Sequence, residues 1–269
     1  MQILRIGDSG DLVIKLQAAL GGLVSDGKFG PLTEKSVKGF QFSKGLTVDG
    51  IVGPMTWDAL GIKFPENEPI KIPSAGETRK MIDVYHGDGI IDWVAVKADG
   101  IDAAMIKCTE GINMVDPMFH RNWEKARGAG IRVGAYHFFH PEEDATAQAE
   151  FFLNTMGPLD MDHEVPALDW EKHGGPIHYE SANALIWLKH VEGVIGRRPW
   201  LYSYGEYINE VGNPSWASSY PLWLADYRST PHIPRPWDSY IYWQYSDHET
   251  VKGIERHCDA SIPAYKTGS

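Results

Sequence analysis

The chain has 269 residues, of which 43 % are hydrophobic and 12 % aromatic, and its formal net charge at pH 7 is −11. This composition predicts a folded core and excludes a disordered chain. Positive charge does not cluster, so we expect no nucleic-acid partner, and no run of about 18 apolar residues predicts a membrane span. The N-terminal residues also lack the pattern of a secretory signal peptide.

The first sixty residues contain an internal repeat. DGKFGPLT at 26–33 and DGIVGPMT at 49–56 share the pattern D-G-x-[FV]-G-P-[LM]-T. Asp-Gly and Gly-Pro favour turns and proline is favourable at a helix start, so each copy predicts a loop that leads into a helix. Helical spacing of apolar residues predicts helices over 12–20 and 33–46, and a short third helix over 56–60. Residues 1–61 are therefore predicted to form a small three-helix domain.

This N-terminal segment resembles the small peptidoglycan-binding domain that is attached to many cell-wall hydrolases. The resemblance covers nearly all of residues 3–60 and rests on LRIGDSGDLVIKLQAAL, DGKFGPLTEKSVKGFQ and GLTVDGIVGPMTWDAL. It implies a module that binds bacterial peptidoglycan and has no chemistry of its own. Residues 62–78 follow with Pro65, Pro69 and Pro73 and no sustained periodicity, and predict a semi-extended linker.

Residues 79–269 alternate between short apolar runs and helical patterns. Helical patterns lie at 116–130, 143–156 and 179–196. Such alternation is typical of a parallel α/β architecture, and about eight strands in this length predict an incomplete TIM-like β/α barrel with short last connections. An open doubly wound sheet is the alternative, but no glycine-rich phosphate loop follows an early strand. The candidate strands are 81–85, 103–108, 131–139, 166–171, 199–204, 221–227, 239–246 and, more weakly, 256–262.

Polar or aromatic residues end nearly every candidate strand. In a parallel barrel the carboxyl ends of the strands meet at one mouth, where active sites lie. Each such residue alone has an ordinary structural explanation, but four carboxylates at one mouth would be costly to desolvate without a function. The residues at these ends are Asp83, Glu110, Tyr136, His137, Asp169, Glu171, Tyr202, Tyr227, Gln244 and Asp259.

The strand PALDWE at 166–171 ends in two acids separated by one tryptophan. Strand side chains alternate between faces, so Asp169 and Glu171 should both point into the mouth, with Cα atoms roughly 6.6 Å apart, whereas Leu168 and Trp170 should face the helices. A second negative charge and aromatic walls raise a carboxyl pKa, which suits a general acid. Glycoside hydrolysis typically uses two such carboxylates.

The same region resembles the lysozymes of glycoside hydrolase family 25, which are muramidases with a flattened β/α barrel. The resemblance covers roughly residues 80–262 and rests on MIDVYHGDGIIDW, IKCTEG, DPMFHRNWEKARGAGIRVGAYHFF, QAEFF, PALDWE, PLWLADY and YWQYS. It implies that Glu171 is the catalytic acid/base and that Asp169 assists it or positions the 2-acetamido group of the substrate. It further implies supporting carboxylates at Asp83 and Asp259, groove-lining Tyr136, Tyr202 and Tyr227, and lesser substrate contacts from Glu110, His137 and Gln244.

Two departures from the family pattern affect the mouth. The last strand reads CDAS where the family usually has VDxN, so Ser261 occupies the asparagine position and the local hydrogen bonding should differ. Tyr85 and His86 follow the first strand, where the family usually continues with serine, and we expect His86 to be solvated.

Other chemistries have less support. Eleven histidines are present, but there is no HExxH motif, so we expect no catalytic metal and no cofactor. There is no GxSxG motif, and Cys108 and Cys258 are expected to be free thiols in strand packing positions. A non-catalytic wall-binding protein with a decayed barrel and a chitinase-like glycosidase remain alternatives, since a D-x-E strand end also occurs in the latter.

Taken together, these patterns predict a monomeric enzyme whose partner is bacterial peptidoglycan. It should hydrolyse the β-1,4 bond between N-acetylmuramic acid and N-acetylglucosamine. A wall-binding module joined to a lysozyme, with no visible signal peptide, predicts a bacteriophage endolysin that is made in the host cytoplasm and acts on the cell wall after release. A bacterial wall-remodelling or secreted effector enzyme is the alternative.

Overall fold

A computed structural model describes residues 4–46, 48–62, 80–157 and 165–264. The chain divides into two compact units, one N-terminal and helical and the other built around a β-sheet. The predicted linker lies, apart from residue 62, outside the described residues. The domain limits 1–61 and 79–269 therefore stay predictions.

The N-terminal unit contains the three predicted helices, α1 (Asp11–Leu20), α2 (Pro31–Ser43) and α3 (Pro54–Ala59). The last two begin two residues earlier than predicted because a proline is itself the first helical residue, where its missing N–H costs nothing. Its small core consists of Leu4, Val13, Leu16, Phe29, Val37, Val52 and Trp57.

A buried glutamine holds each copy of the sequence repeat. Gln17 Nε2 donates to Asp26 Oδ1 at 2.8 Å, and Gln41 Nε2 donates to Asp49 Oδ1 at 2.7 Å. In both copies the glutamine Oε1 accepts the N–H of the loop glycine, at 3.0 and 2.9 Å. Because buried polar groups need partners, the two loops and their glutamines form matched structural units.

The described residues of the second unit contain nine strands in one sheet. Its order is β1-β9-β8-β7-β6-β5-β4-β2-β3, and β1 also pairs with β2, so eight strands close into a barrel and β3 is a short hairpin partner of β2. The strands are β1 (Lys80–Val84), β2 (Ile101–Glu110), β3 (Met114–Val115), β4 (Arg132–Phe138), β5 (Val165–Asp169), β6 (Trp200–Tyr204), β7 (Leu222–Ala225), β8 (Tyr242–Glu249) and β9 (Cys258–Pro263).

In the described residues of this unit, the helices all lie in connections between β1 and β7. The three predicted helices are present as α5 (Phe119–Gly128), α6 (Ala145–Met156) and α7 (Ile177–Ile195), and two short helices, α4 (Trp93–Ala98) and α8 (Gly205–Glu210), are additional. The described chain after β7 contains no helix. The prediction of an incomplete TIM-like β/α barrel is thus confirmed. No helix in the described ranges is long and apolar enough to cross a membrane.

The last strand corrects the expectation of a wholly parallel barrel. β9 runs antiparallel to both β8 and β1, and Asp259, the second residue of β9, lies opposite Asp83 in the register. A parallel crossover needs a dozen or more residues, and only residues 250–257 separate β8 from β9. Asp259 therefore reaches the mouth from the beginning of its strand, not from its carboxyl end.

The barrel interior is a packed, aromatic-rich core. Large rings from alternate positions of neighbouring strands fill it, and small residues such as Ala103 and Ala167 make room for them. This layer forms the floor beneath the mouth. Its aromatic members are Tyr136, Trp200, Tyr202, Trp223 and Tyr242.

Candidate active site

Four carboxyl groups lie at one mouth of the barrel. Asp169 is the last residue of β5, Glu171 lies two residues beyond it, Asp83 is on β1 and Asp259 is on β9. As the alternation of strand side chains predicts, Trp170 points away from the mouth, is fully buried and stacks on Trp216 at 5.7 Å between ring centroids. The structure therefore brings together the four acids to which the resemblance gives catalytic or supporting roles.

The acid pair after β5 lies in an environment that favours protonation. Burial, and then the charge of Glu171, raises the pKa of Asp169 well above its usual range. Burial, and then the neighbouring Asp259, raises the pKa of Glu171, while the positive charge of Lys107 opposes the shift. A raised pKa lets a carboxyl group keep its proton to higher pH, and a partly exposed group of this kind can act as a general acid.

Asp169 also carries an unused hydrogen-bonding atom. Its side chain is only 6 % exposed, and Oδ1 is buried without a hydrogen-bond partner among the described residues. Buried polar atoms are nearly always paired in native proteins, and exceptions often mark functional sites. This oxygen is therefore available to a group that enters the mouth.

Asp83 and Asp259 form a second carboxyl pair across the β1–β9 ladder. Burial, and then the charge of Asp259, raises the pKa of Asp83 well above its usual range. Burial raises the pKa of Asp259 to about 6, although a hydrogen bond from Asp83 works in the opposite direction. These directions describe a pair in which Asp83 keeps its proton and donates a hydrogen bond to Asp259.

Gln244 connects this pair to two tyrosines. Gln244 Nε2 donates to Asp83 Oδ2 at 2.9 Å, and its Oε1 accepts from Tyr202 at 3.1 Å and from Tyr227 at 2.9 Å. Gln244 is fully buried, whereas Tyr227 is 53 % exposed. The geometry suits Gln244 to orient Asp83 and Tyr227, and its burial leaves it no surface for the direct substrate contact expected from the resemblance.

The mouth also holds a positive charge, Lys107, that is not among the predicted site residues. Lys107 Nζ lies 2.6 Å from Glu110 Oε2 and 4.7 Å from the centroid of the Phe138 ring, and His140 Nε2 lies 3.1 Å from the other Glu110 oxygen. Burial raises the pKa of Glu110, but Lys107 and His140 outweigh it, so the pKa is lowered overall. Glu110 is therefore paired within the protein, and its predicted substrate contact would compete with these partners.

The structure does not place His137 at the mouth. Its ring is fully buried, stacks on Trp187 at 5.5 Å, and pairs with Thr109 at 2.8 Å and Gln148 at 3.0 Å. Burial lowers its pKa to about 3, so the ring is neutral at neutral pH. The substrate contact predicted for His137 is therefore wrong. Tyr136, its neighbour in β4, points into the barrel, so strand alternation turns His137 outward.

The other aromatic candidates line the barrel interior and its rim. Tyr136 and Tyr202 are at least nine-tenths buried and each packs edge-to-face against Trp223, at 6.5 and 4.6 Å. They form the floor of the mouth, and Tyr227 is exposed at its rim. Their roles in substrate binding stay predictions.

The two departures from the family pattern have structural explanations. Ser261 is fully buried and its Oγ accepts the indole N–H of Trp223 at 3.0 Å. His86 is exposed, as predicted, and its Nδ1 also lies 2.8 Å from Oδ2 of the buried Asp116, which accepts the His86 N–H at 3.0 Å. Both residues therefore stabilise elements around the mouth.

Two further observations concern metal ligands and thiols. Within the described ranges, no group of three or more histidine, cysteine, aspartate or glutamate side chains is arranged to hold a metal ion. Cys108 and Cys258 are buried free thiols, and burial raises the pKa of both, to about 12 for Cys258. A thiol with so high a pKa is a poor nucleophile.

Two family models match this chain, one in its N-terminal part and one in its barrel. Residues 82–254 match the family model for glycosyl hydrolases family 25, and residues 9–60 match the model for a putative peptidoglycan binding domain. The two matches do not overlap; the first covers most of the unit built around the β-sheet, and the second lies within the N-terminal segment 1–70.

Individual relatives match over most of the chain. An uncharacterized protein of Escherichia coli K12, YegX, is 36 % identical over 201 residues, which are 72 % of this chain and 72 % of that protein. The autolytic lysozyme of Clostridium acetobutylicum is 34 % identical over 67 % of this chain and 54 % of its own length. The crystal structure of the bacterial lysozyme from Streptomyces coelicolor superposes with a TM-score of 0.67 at 29 % identity, over 72 % of this chain and 94 % of that chain.

Proposed function

The chain belongs to glycosyl hydrolase family 25 and is a glycoside hydrolase of the lysozyme type, and from this premise we propose that its barrel cleaves the β-1,4 bond between N-acetylmuramic acid and N-acetylglucosamine. The observation that carries the proposal is the placement of Glu171, a partly buried carboxyl group with a raised pKa, two residues from Asp169 at the barrel mouth.

In the proposed reaction Glu171 acts first as an acid. Its proton moves to the oxygen of the departing N-acetylglucosamine as the bond between that oxygen and the anomeric carbon of muramic acid breaks. The 2-acetamido oxygen of muramic acid attacks the anomeric carbon, and Asp169 Oδ1 accepts the acetamido N–H. Glu171, now ionised, then takes a proton from water as the water attacks the same carbon, which gives net retention of configuration.

A covalent route through Asp169 is the alternative within the same reaction, and it also gives retention. The unpaired Oδ1 of Asp169 favours the first route because a buried acceptor suits an N–H donor. Intact-protein mass analysis of acid-quenched turnover distinguishes the two. The substrate-assisted route predicts unmodified enzyme, whereas a glycosyl adduct on Asp169 would contradict it.

Analysis of the products tests the bond that is cleaved. Purified peptidoglycan is digested, reduced with borohydride and examined by mass spectrometry. A muramidase produces reduced muramic acid ends. Reduced glucosamine ends, released peptides, or no cleavage at all would contradict the proposal, and the last result would favour a non-catalytic binding protein. Parallel digestion of chitin tests the chitinase-like alternative, which predicts faster cleavage of chitin than of peptidoglycan.

The N-terminal unit is proposed to hold the enzyme on its polymeric substrate. Its match to a peptidoglycan-binding model supports this assignment. Binding of one unit to an insoluble polymer raises the effective concentration of the other at the same surface. Removal of this binding should slow the lysis of intact walls far more than the hydrolysis of soluble fragments.

The biological setting that we propose is host lysis by a bacteriophage endolysin, made in the host cytoplasm and acting on the wall after release. The union of a wall-binding unit and a muramidase barrel in one chain supports this setting. Expressed in a susceptible host, the protein should leave cells intact until their membrane is permeabilised and then lyse them. Export and wall turnover in growing cells would instead favour a bacterial wall-remodelling enzyme.

A further inference from the structure

The acid segment, defined as residues 170–176, contains Glu171 and has no regular secondary structure. Among the described residues, no side chain forms a hydrogen bond with the Glu171 carboxyl group; its environment is set by burial, Asp259 and Lys107. A catalytic group must nevertheless be held within a fraction of an ångström of its productive position. The backbone of the acid segment must therefore provide most of that restraint.

The start of the acid segment is fixed by β6. The Trp170 N–H donates to the Tyr202 carbonyl at 3.0 Å, and the Ser203 hydroxyl donates to the Trp170 carbonyl at 2.7 Å. Both bonds are made by the backbone of Trp170, the residue before Glu171. They fix where the segment leaves the sheet but not the direction that it takes after Glu171.

The far side of Glu171 is held by Glu180, which lies in the first turn of α7. Glu180 Oε1 accepts the Gly174 N–H at 2.8 Å, and Oε2 lies 2.9 Å from Nδ1 of His173. The Tyr207 hydroxyl lies 3.3 Å from Glu180 Oε2 and donates to the Lys172 carbonyl at 2.9 Å. Each of the three residues that follow Glu171 thus contacts either Glu180 or its tyrosine partner.

The burial of Glu180 distinguishes it from an ordinary helix-end acid. An acidic residue in the first turn stabilises a helix through the helix dipole even when it is exposed. Glu180 is instead 1 % exposed, and a buried carboxylate is costly unless its oxygens are paired. Both of its oxygens are directed to the acid segment and to Tyr207 on α8, so this cost is offset by contacts that order the acid segment.

We infer that Glu180 is a positioning residue for the hydrolysis: by holding residues 172–174 through its own oxygens and through Tyr207, it fixes the backbone of Glu171 and hence the place of the proton donor. The inference rests on the proposed acid role of Glu171. Glu180 itself does not touch the substrate.

The test compares kcat and KM of Glu180→Ala with those of the native enzyme on soluble peptidoglycan fragments, so that wall binding by the N-terminal unit does not enter. Misplacement of a catalytic group by about 1 Å costs about 100-fold in rate, so we expect kcat to fall by about 10- to 100-fold while KM changes less than about threefold. Glu180→Gln keeps one acceptor oxygen and should lose less. Tyr207→Phe removes the hydroxyl that contacts both the Lys172 carbonyl and Glu180, and should also lower kcat.

The pH profile separates positioning from simple destabilisation. A Glu171 that is released from its place becomes more hydrated, and its pKa falls toward the ordinary value, so the alkaline limb of kcat should move to lower pH. The variants leave unchanged the titratable groups that face Glu171, which are Lys107, Asp169, Tyr202, Tyr204, Tyr227 and Asp259.

Asn122→Ala is the control. Asn122 is fully buried in α5 and accepts the indole N–H of Trp93 at 3.3 Å, so its loss destabilises the barrel without touching the acid segment. It should lower the melting temperature and leave kcat and the alkaline limb unchanged. A folded Glu180→Ala or Glu180→Gln enzyme with native kcat and an unmoved alkaline limb would overturn the inference. Glu171→Gln is measured alongside: if it stays active, the proposed function fails, whereas an inactive Glu171→Gln with an unaffected Glu180→Ala refutes only the role of Glu180.

Discussion

Replacement of Asp259 by asparagine should stabilise the barrel at neutral pH. Burial raises the pKa of Asp259 from 3.8 to about 6. The folded state therefore holds a proton between about pH 4 and pH 6 that the unfolded state releases, so stability falls as the pH rises through this window. Asparagine removes this loss, and its amide oxygen can still accept the hydrogen bond that Asp83 donates.

The size of the effect follows from the pKa difference. A pKa raised from 3.8 to about 6 corresponds to about 3 kcal/mol at neutral pH. Asp259 retains partial solvent access, so screening reduces the expected gain to about 1–2 kcal/mol. For a barrel of this size, that gain corresponds to a rise in melting temperature of about 3–6 °C.

Urea and thermal unfolding at pH 4 and pH 7 measure the effect through tryptophan fluorescence, since nine of the ten tryptophans lie in residues 80–269. The free-energy difference between Asp259→Asn and the native protein should grow in favour of the variant as the pH rises. Asp238→Asn, at an exposed position of the same unit, should change stability by less than about 0.5 kcal/mol at both pH values. A variant that is less stable at pH 7, or a difference that does not depend on pH, would refute the reasoning.

Two further perturbations test the electrostatics of the mouth and the repeat of the N-terminal unit. Lys107→Met removes the positive charge that lowers the pKa of Glu171, so the alkaline limb of the pH–rate profile on soluble fragments should move to higher pH; an unmoved or lowered limb would contradict the assignment. Gln41→Ala leaves the second repeat loop without its buried partner and should destabilise the N-terminal unit by about 2–4 kcal/mol. Co-sedimentation with insoluble peptidoglycan should then be lost while turnover of soluble fragments is kept, and unchanged sedimentation would show that the loop is not required.

Strand alternation predicted the acid pair well. It places Asp169 and Glu171 on the mouth side and Trp170 among the helices, because a period of two leaves no other arrangement for a regular strand. The same rule could have excluded His137, since Tyr136 and His137 are adjacent in β4 and cannot both face the mouth.

Lys107 shows where alternation fails. Lys107 and Glu110 are three residues apart and would lie on opposite faces of a regular strand. The pairing of β2 with β4 shifts register between Lys107 and Thr109, and the two side chains meet at 2.6 Å. A bulge of this kind adds one residue to one strand and leaves no clear mark in the sequence, so neither the pair nor its effect on Glu171 could be predicted.

Contacts between residues that are far apart in the sequence differ in how far they can be predicted. The antiparallel direction of β9 had a usable signal in the short connection before it, but the pairing of Glu180 with the acid segment had none. An acid in the first turn of a helix is usually interpreted as a helix-dipole residue. Only the fold shows that α7 begins beside the segment that carries the proton donor.

The proton-donor role of Glu171 is tested most directly by the turnover of Glu171→Gln on soluble peptidoglycan fragments, with circular dichroism and melting temperature as checks on folding. Glutamine keeps the size of the side chain and removes the proton that the leaving oxygen needs, and general acids contribute about 10²–10⁴-fold. We predict a folded protein whose kcat falls by at least about 100-fold. A folded variant that keeps more than about a tenth of the native turnover would contradict the account.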